Sequence, residues 1–395
     1  MATPFISPEA RLVFGTANPA GDQAFATALL RGITNWARVG ALAERELASY
    51  ALWLGMKDCE AGVPGDFLEA LARSALQTDL RMQQLARRLR QTIEGLSAAG
   101  IPCLLLKGAA IGALGDATFR RRPMTDIDLL VHREDAARAS ETFRASGWSV
   151  TDNPVYREML RDAHHLPHFV DALQPGIRLE LHVALMPDDQ PFAFDEAMLW
   201  RDARPAPAPF DGARIPSPVH LLLHTCVHFA WQHRMTFGGW RTFRSVVEIT
   251  QAGGFDWARL ASTATEVRAG TACYWTLRLA KALGGVGAPP DVLGRLEPPT
   301  PEWMRRALER HFIAALVPGE GPSSPSERIS DWLWRAAMRP SWSGYAGRGS
   351  GDRNARWVEA LGTGPRESSL ERVRRHARSH RAWLEFLSGT LFRRG

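Results

Sequence analysis

Apolar residues return at helical intervals through the first quarter of the chain. Residues 22–56 and 65–98 are rich in Ala, Leu, Arg, Gln and Glu, and Phe67, Leu68, Leu71, Leu76 and Leu80 keep helical spacing, which predicts helices over both segments. The pattern changes at Gly100. Ile101-Pro-Cys-Leu-Leu-Leu106 is a short continuous apolar run of the kind that makes a buried strand, closed by Lys107-Gly108. Ala109–Leu114 reads as a short helix, Asp116–Thr125 as a loop, Ile127–His132 as a second strand, and Glu134–Ser146 as a helix stopped by Gly147. Leu166–Ala172 and Ile177–Leu185 alternate in strand fashion about Gln174-Pro175-Gly176, a hairpin signal. Five prolines (205, 207, 209, 216 and 218) forbid continuous helix across the next stretch. Helical spacing resumes over 218–233, 240–252, 256–267 and 270–283. The expected class is α+β: a helical N-terminal region (1–99), an α/β core with a small mixed sheet (100–200), a Pro-rich connection (201–217) and a helical C-terminal region with a basic tail (218–395).

Composition narrows the function classes. The chain has 395 residues, 45% hydrophobic and 23% charged, as in ordinary globular proteins and enough for two or three structural units. The net charge is +6, and residues 366–395 hold eight Arg against three Glu, so this tail alone supplies +5. The remainder is nearly neutral, which argues against a broad nucleic-acid-binding surface and leaves a local basic patch. Six tryptophans (303, 332, 334, 342, 357 and 383) interleave with arginines in the last 95 residues, and Arg372–Arg381 is a candidate dock for an acidic peptide, RNA or anionic lipid. Cys59, Cys103, Cys226 and Cys273 lie too far apart for a zinc ribbon or a disulfide framework and fit reduced thiols. The N-terminus lacks the regions of a signal peptide, and Ile215–His233 carries two prolines and four histidines and fails as a membrane span. The expected location is cytoplasmic, with no transmembrane segment.

The chemistry concentrates in Met124-Thr-Asp126-Ile-Asp128-Leu-Leu-Val131. Carboxylates at i and i+2 of a strand share one face, roughly 6 to 7 Å apart. They repel each other unless positive charge lies between them, and paired Mg²⁺ ions about 3.5 to 4 Å apart would fit there. Such a site needs a third acid, which Arg178-Leu-Glu180-Leu-His182 offers at a polar position of an alternating strand that a hairpin could bring beside the aspartates. Lys107, one of only three lysines, sits at a strand-to-helix turn where an ammonium suits a phosphate contact. His220, His224 and His228 recur every four residues and share a helical face, either packed on the sheet or pointing into the cleft; without an H-E-x-x-H glutamate or a cysteine cluster they do not read as a zinc site. His164-His165-Leu-Pro-His168 reads as a loop over the rim of the site, a candidate for acceptor or phosphate contact.

The series Leu104-Leu-Leu-Lys107-Gly108, Arg122-Pro-Met-Thr-Asp126-Ile-Asp128-Leu-Leu-Val and Leu179-Glu180-Leu-His182 resembles the motifs of a bacterial group of uncharacterised nucleotidyltransferases within the DNA polymerase β-like superfamily. Pro218-Val-His220-Leu-Leu-Leu-His224-Thr-Cys-Val-His228 and Arg244-Ser-Val-Val-Glu248-Ile249 extend the resemblance, which covers about residues 65–290. It implies that Asp126, Asp128 and Glu180 bind Mg²⁺ or Mn²⁺ and carry catalysis. It also implies that Lys107, Gly108, Arg122, His182, His224 and His228 serve an NTP, Gly108 by letting backbone approach the phosphates, and that Arg122 either neutralises triphosphate or pairs with Asp126. The reaction implied is transfer of an NMP to an acceptor hydroxyl with release of pyrophosphate, the acceptor being a peptide or protein by association, or RNA if the basic tail marks a tRNA-modifying toxin. Two positions depart from the pattern: Ala109 follows Lys107-Gly108 where the superfamily has Gly-Ser or Gly-Gly, and Glu248 stands where the family shows Asp. They motivate the alternative of a nucleotide- or peptide-binding protein that has kept the fold without turnover.

Overall fold

The computed structural model describes residues 6–19, 30–59, 62–150, 164–186, 190–251, 254–321 and 327–338. The basic tail, with Trp342, Trp357 and Trp383, lies outside them. The N-terminal helices are α1 (Pro8–Gly15), α2 (Trp36–Glu46), α3 (Ser49–Met56) and the 34-residue α4 (Gly65–Ala98). Local chemistry sets their ends. Ser7 and Asn35 cap α1 and α2 through side-chain oxygens, and Leu47, at φ 60°, ends α2 in the left-handed region. On α4, Leu71, Met82, Leu85, Leu89 and Ile93 are buried, whereas Leu76 and Leu80 are exposed, off the packed face that the spacing predicts for them.

The middle of the chain runs β1 (Leu104–Leu105), α5 (Lys107–Gly112), α6 (Asp116–Arg121), β2 (Asp126–Leu130), α7 (Ala136–Ala145), β3 (Trp148–Val150), β4 (Phe169–Asp171), β5 (Arg178–His182), α8 (Glu196–Arg201), β6 (Arg204–Pro205) and β7 (Arg214–Ile215). The strands form one mixed sheet in the order β3-β4-β5-β2-β1-β7-β6. β4 and β5 are the antiparallel hairpin expected from Gln174-Pro175-Gly176. Between β5 and β2, however, the pairing is parallel, not the hairpin pairing the sequence suggests. Asp116–Arg121 is helical rather than loop, and the proline-rich stretch supplies β6 and β7, which extend the sheet beyond β1. Gly147, at φ +85°, follows the end of α7 as its position predicts.

The C-terminal part holds α9 (Pro218–Val227), one π-helical turn (His228–Gln232), α10 (Gly239–Thr250), α11 (Trp257–Glu266), α12 (Gly270–Gly284), α13 (Pro290–Leu296), α14 (Glu302–Leu316) and α15 (Glu327–Met338). Ser217 with Pro218 at the first turn opens α9, and Asp256 caps α11. α1 packs against α10 and α12, and Trp240 of α10 donates through its backbone to Glu46 and through its indole to Thr16. The N-terminal and C-terminal helices thus share one packed layer. Helix α5 contacts β1 and β2 on one side and α9 and α10 on the other, which sets Lys107 between sheet and helices. No helix among the described residues is long and apolar enough to cross a membrane.

Candidate active site

The register of β2 and β5 builds the site. Asp126 pairs with Arg178, Asp128 with Glu180, and Leu130 with His182. Partners in register share a face of the pleat, so both aspartates, Glu180 and His182 project from the same side of the sheet. Ile127, Leu129, Leu179 and Leu181 point the other way and are fully buried, which is why one-residue slippage is disfavoured.

Lys107 joins this face from the turn between β1 and α5, held at φ 44° while Leu106 N–H donates to the Asp128 carbonyl. Its Nζ lies 2.8 Å from Asp128 Oδ1 and 3.8 Å from Glu180 Oε2. The fully buried His182 places Nε2 2.9 Å from the same Asp128 oxygen and 3.5 Å from Glu180 Oε2. His168 Nε2 lies 2.9 Å from Glu180 Oε1. Among the described residues Asp126 accepts a side-chain hydrogen bond only from the Thr125 hydroxyl, at 3.1 Å.

The electrostatics follow from these partners. Burial, with the Asp128 and Glu180 charges added, pushes the Asp126 carboxyl up to about 6. Burial also pushes Asp128 up, but Lys107 and the His182 hydrogen bond outweigh it and hold that carboxylate low. Glu180 is likewise held low, His168, His182 and Lys107 overcoming its burial. In return, burial lowers Lys107 and His182, and the carboxylates more than reverse this, raising both.

Lys107, Asp126, Asp128 and Glu180 line a cavity of about 430 Å³, within the range of small-molecule sites. The opposite wall comes from the π-helical turn and α10, with His228, Gln232, His233, Phe237 and Arg241 facing in. Gly108 also lines it. A Cβ there would stand 2.7 Å from Met124 Sδ, so a side chain at this position would force Met124 to shift.

The remaining sequence candidates divide. Arg122 lines the cavity but does not pair with Asp126: it donates to Glu248 Oε2 at 2.6 Å and to Ser245 Oγ at 2.7 Å. Glu248 also accepts from Arg244 at 2.7 Å, so the Arg-x-x-x-Glu helix clamps the segment before β2 to α10. His228 faces the cavity; His224 is buried, neither ring nitrogen has a hydrogen-bond partner among the described residues, and burial with the nearby Lys107 and His182 charges lowers it to about 3. His220 points elsewhere, 3.8 Å from Asp202. His233 follows the His220, His224 and His228 series in the sequence, whereas Arg241 and Phe237 carry no sequence signal of their own. The one local signal nearby is conformational: Arg234 and Met235 both hold positive φ, 49° and 56°, and Phe237, half exposed, stacks on His233 at 4.1 Å.

The donor set is hard carboxylate oxygen, as Mg²⁺ or Mn²⁺ requires. The raised Asp126 carboxyl beside two further carboxylates marks a place short of positive charge, so these residues fit a divalent cation. Asp128, Glu180 and His182 each offer a ligand atom within 4.8 Å of the others. A family model described as uncharacterised nucleotidyltransferase matches residues 33–285, well over half of the chain, and the chain belongs to that family. No curated protein and no solved structure matches it.

Proposed function

We propose that the protein transfers a nucleoside monophosphate from an NTP to an acceptor hydroxyl, with a peptide or protein hydroxyl the first acceptor to try. The observation that carries this reading is the in-register placement of Asp128 and Glu180, with Asp126 two residues before, on the wall of one cavity. Asp126, Asp128 and Glu180 would hold the divalent ion, which supplies Lewis-acid stabilisation of charge on the attacking and leaving oxygens. The hydroxyl oxygen bonds to the α-phosphorus as the bond to the β-phosphate oxygen breaks, and pyrophosphate leaves. Asp126, which makes no ion pair among the described residues, orients the acceptor hydroxyl and takes its proton. Across the cavity the Arg241 guanidinium makes no hydrogen bond or ion pair among the described residues, and it serves the phosphates together with Lys107. Gly108 and His228 line the same space.

The test is a thermal-shift panel of ATP, GTP, CTP and UTP with Mg²⁺ or Mn²⁺, on wild type and Asp126→Asn/Asp128→Asn, followed by pyrophosphate release. A nucleotide at a hundred times its Kd stabilises by about 2.7 kcal/mol. A metal-dependent shift in wild type alone is the expected result; a shift that survives in the double variant sinks the assignment. One observation favours a second reading, a nucleotide-binding protein without turnover: Lys107 Nζ already lies between Asp128 and Glu180, where a metal would bring its charge. That reading expects a metal-independent nucleotide shift and no pyrophosphate.

A further inference from the structure

The histidines at the mouth of the cavity are organised differently from the carboxylate pair beneath them. Residues 164–166 run alongside the end of β5: Leu166 N–H donates to the Leu181 carbonyl at 2.8 Å, Val183 N–H to the His164 carbonyl at 2.9 Å, and His165 bridges to His182. The backbone carrying His165 is therefore fixed to the strand that carries Glu180. Pro167 restricts the link to His168. A ring nitrogen of His165, one of His168 and a carboxylate oxygen of Glu180 all lie within 4.8 Å of one another.

Three further features suit ligation. His165 Nδ1 lies 2.9 Å from the Leu166 carbonyl, which can only accept; the proton therefore sits on Nδ1, and Nε2 keeps its lone pair. Glu180 divides its oxygens: Oε1 faces His168 at 2.9 Å, while Oε2 faces His182 and Lys107. All three residues are half-buried, so the cluster keeps a side open towards solvent. Two imidazoles and one carboxylate with an open position form the donor set of a borderline transition cation, whereas Mg²⁺ prefers oxygen alone.

We propose that His165, His168 and Glu180 bind one divalent transition cation of the zinc class, at a site that shares only Glu180 with the aspartate pair. For His168 to ligate through Nε2 its proton must leave that atom, to Nδ1 from a neutral imidazole or to solvent from a cationic one, while the His165 tautomer is unchanged. The site stands on geometry and does not depend on the nucleotidyl-transfer reading.

The experiment uses the full chain, stripped with a chelator and titrated calorimetrically with Zn²⁺ in excess Mg²⁺, so that the hard-oxygen ligands are already satisfied. Wild type takes up one equivalent. His165→Gln/His168→Gln weakens uptake by about a hundredfold or more, since even the loss of an outer partner of a metal ligand costs about 10- to 100-fold. Asp126→Asn retains the Zn²⁺ site while losing the metal-dependent nucleotide shift, which separates this proposal from the proposed function. Unchanged uptake in the histidine variant, no uptake by wild type, or loss in Asp126→Asn as complete as in the histidine variant would each overturn it. Co²⁺ loading of wild type guards against a variant that fails to fold: intensified visible bands of nitrogen-ligated, low-coordinate Co²⁺ are expected, and the weak spectrum of six-coordinate oxygen-ligated Co²⁺ refutes the site.

Discussion

Exchanging either member of the Arg122–Glu248 pair tests whether Arg122 is a strut or a phosphate ligand. Both side chains are about nine-tenths buried and 2.6 Å apart. In Glu248→Gln the Arg122 guanidinium remains buried with a neutral amide and the Ser245 hydroxyl and loses its carboxylate partner. Breaking a buried pair from one side costs about 3 to 5 kcal/mol; because the amide can still accept a hydrogen bond, we take about 3 kcal/mol. Arg122→Met leaves Glu248 with Arg244 at 2.7 Å and puts an apolar side chain beside Met124, so its cost is the lost hydrogen bonds, about 1.5 kcal/mol. Glu248→Gln should therefore be the less stable variant by about 1.5 kcal/mol, equivalent for a chain of 395 residues to Tm falls of about 4 °C and about 2 °C. Urea unfolding of both single variants and of the double variant measures this, and the double variant should lose less than the sum. Equal losses, or a larger loss in Arg122→Met, would show that Glu248 does not depend on Arg244 and would refute the clamp.

Arg241→Met should leave Tm without ligand within about 1 °C and weaken nucleotide affinity by about 10- to 100-fold, the worth of one charge-assisted hydrogen bond; an unchanged Kd by calorimetry removes Arg241 from the phosphate site. Lys107→Met should destabilise the chelator-treated protein by about 3 kcal/mol, because Asp128 and Glu180 lose their ammonium, and Mg²⁺ should recover more of this loss than it adds to wild type; no extra Mg²⁺ effect on Tm would contradict a cation-binding carboxylate cluster. His311 of α14 is buried and burial lowers it to about 4, so the folded state resists its protonation. Its contribution is complete above the unfolded value near 6.5 and is lost as pH falls from there towards 4, about 3 kcal/mol in all. His311→Leu should therefore flatten the acid limb of urea stability, and an unchanged limb would refute the assignment.

What the sequence shows of the site depends on how local each signal is. Asp126 and Asp128 stand out because two charges interrupt an apolar strand, and strand period alone puts them on one face. Glu180 is identifiable as a strand-borne acid, but its pairing is not: parallel alignment with β2 requires the whole connection through α7, β3 and β4, and a neighbouring hairpin turn suggests the antiparallel alternative. Helix α6 escapes because Gly115 provides no side-chain cap to announce it, and β6 and β7 are two residues each, shorter than any period can reveal. Arg122 is one of three consecutive arginines, and only tertiary packing selects Glu248 as its partner. Phe237 reaches the cavity from a turn without a motif, and Arg241 lies one turn before the Arg244-Ser-Val-Val-Glu248 motif, outside its pattern.

The site's charges explain why the two aspartates are not equivalent. Asp128 Oδ1 faces both Lys107 and His182, and both Glu180 oxygens have cationic or imidazole neighbours. Those contacts account for the low proton affinity of both groups. Asp126, two residues away on the same face, is also buried but among the described residues is hydrogen-bonded only to a hydroxyl, and the Asp128 and Glu180 carboxylates, held ionised by their own partners, repel its charge more than Lys107 offsets. All three carboxylates line the cavity with Lys107, and Asp126 is the one whose proton affinity is raised. A cation entering the cavity gains most at Asp126, whereas at Asp128 and Glu180 it must compete with the Lys107 ammonium. Removing Lys107 should therefore relieve that competition at Asp128 and Glu180 and strengthen divalent-ion binding, whereas removing Asp126 should weaken it.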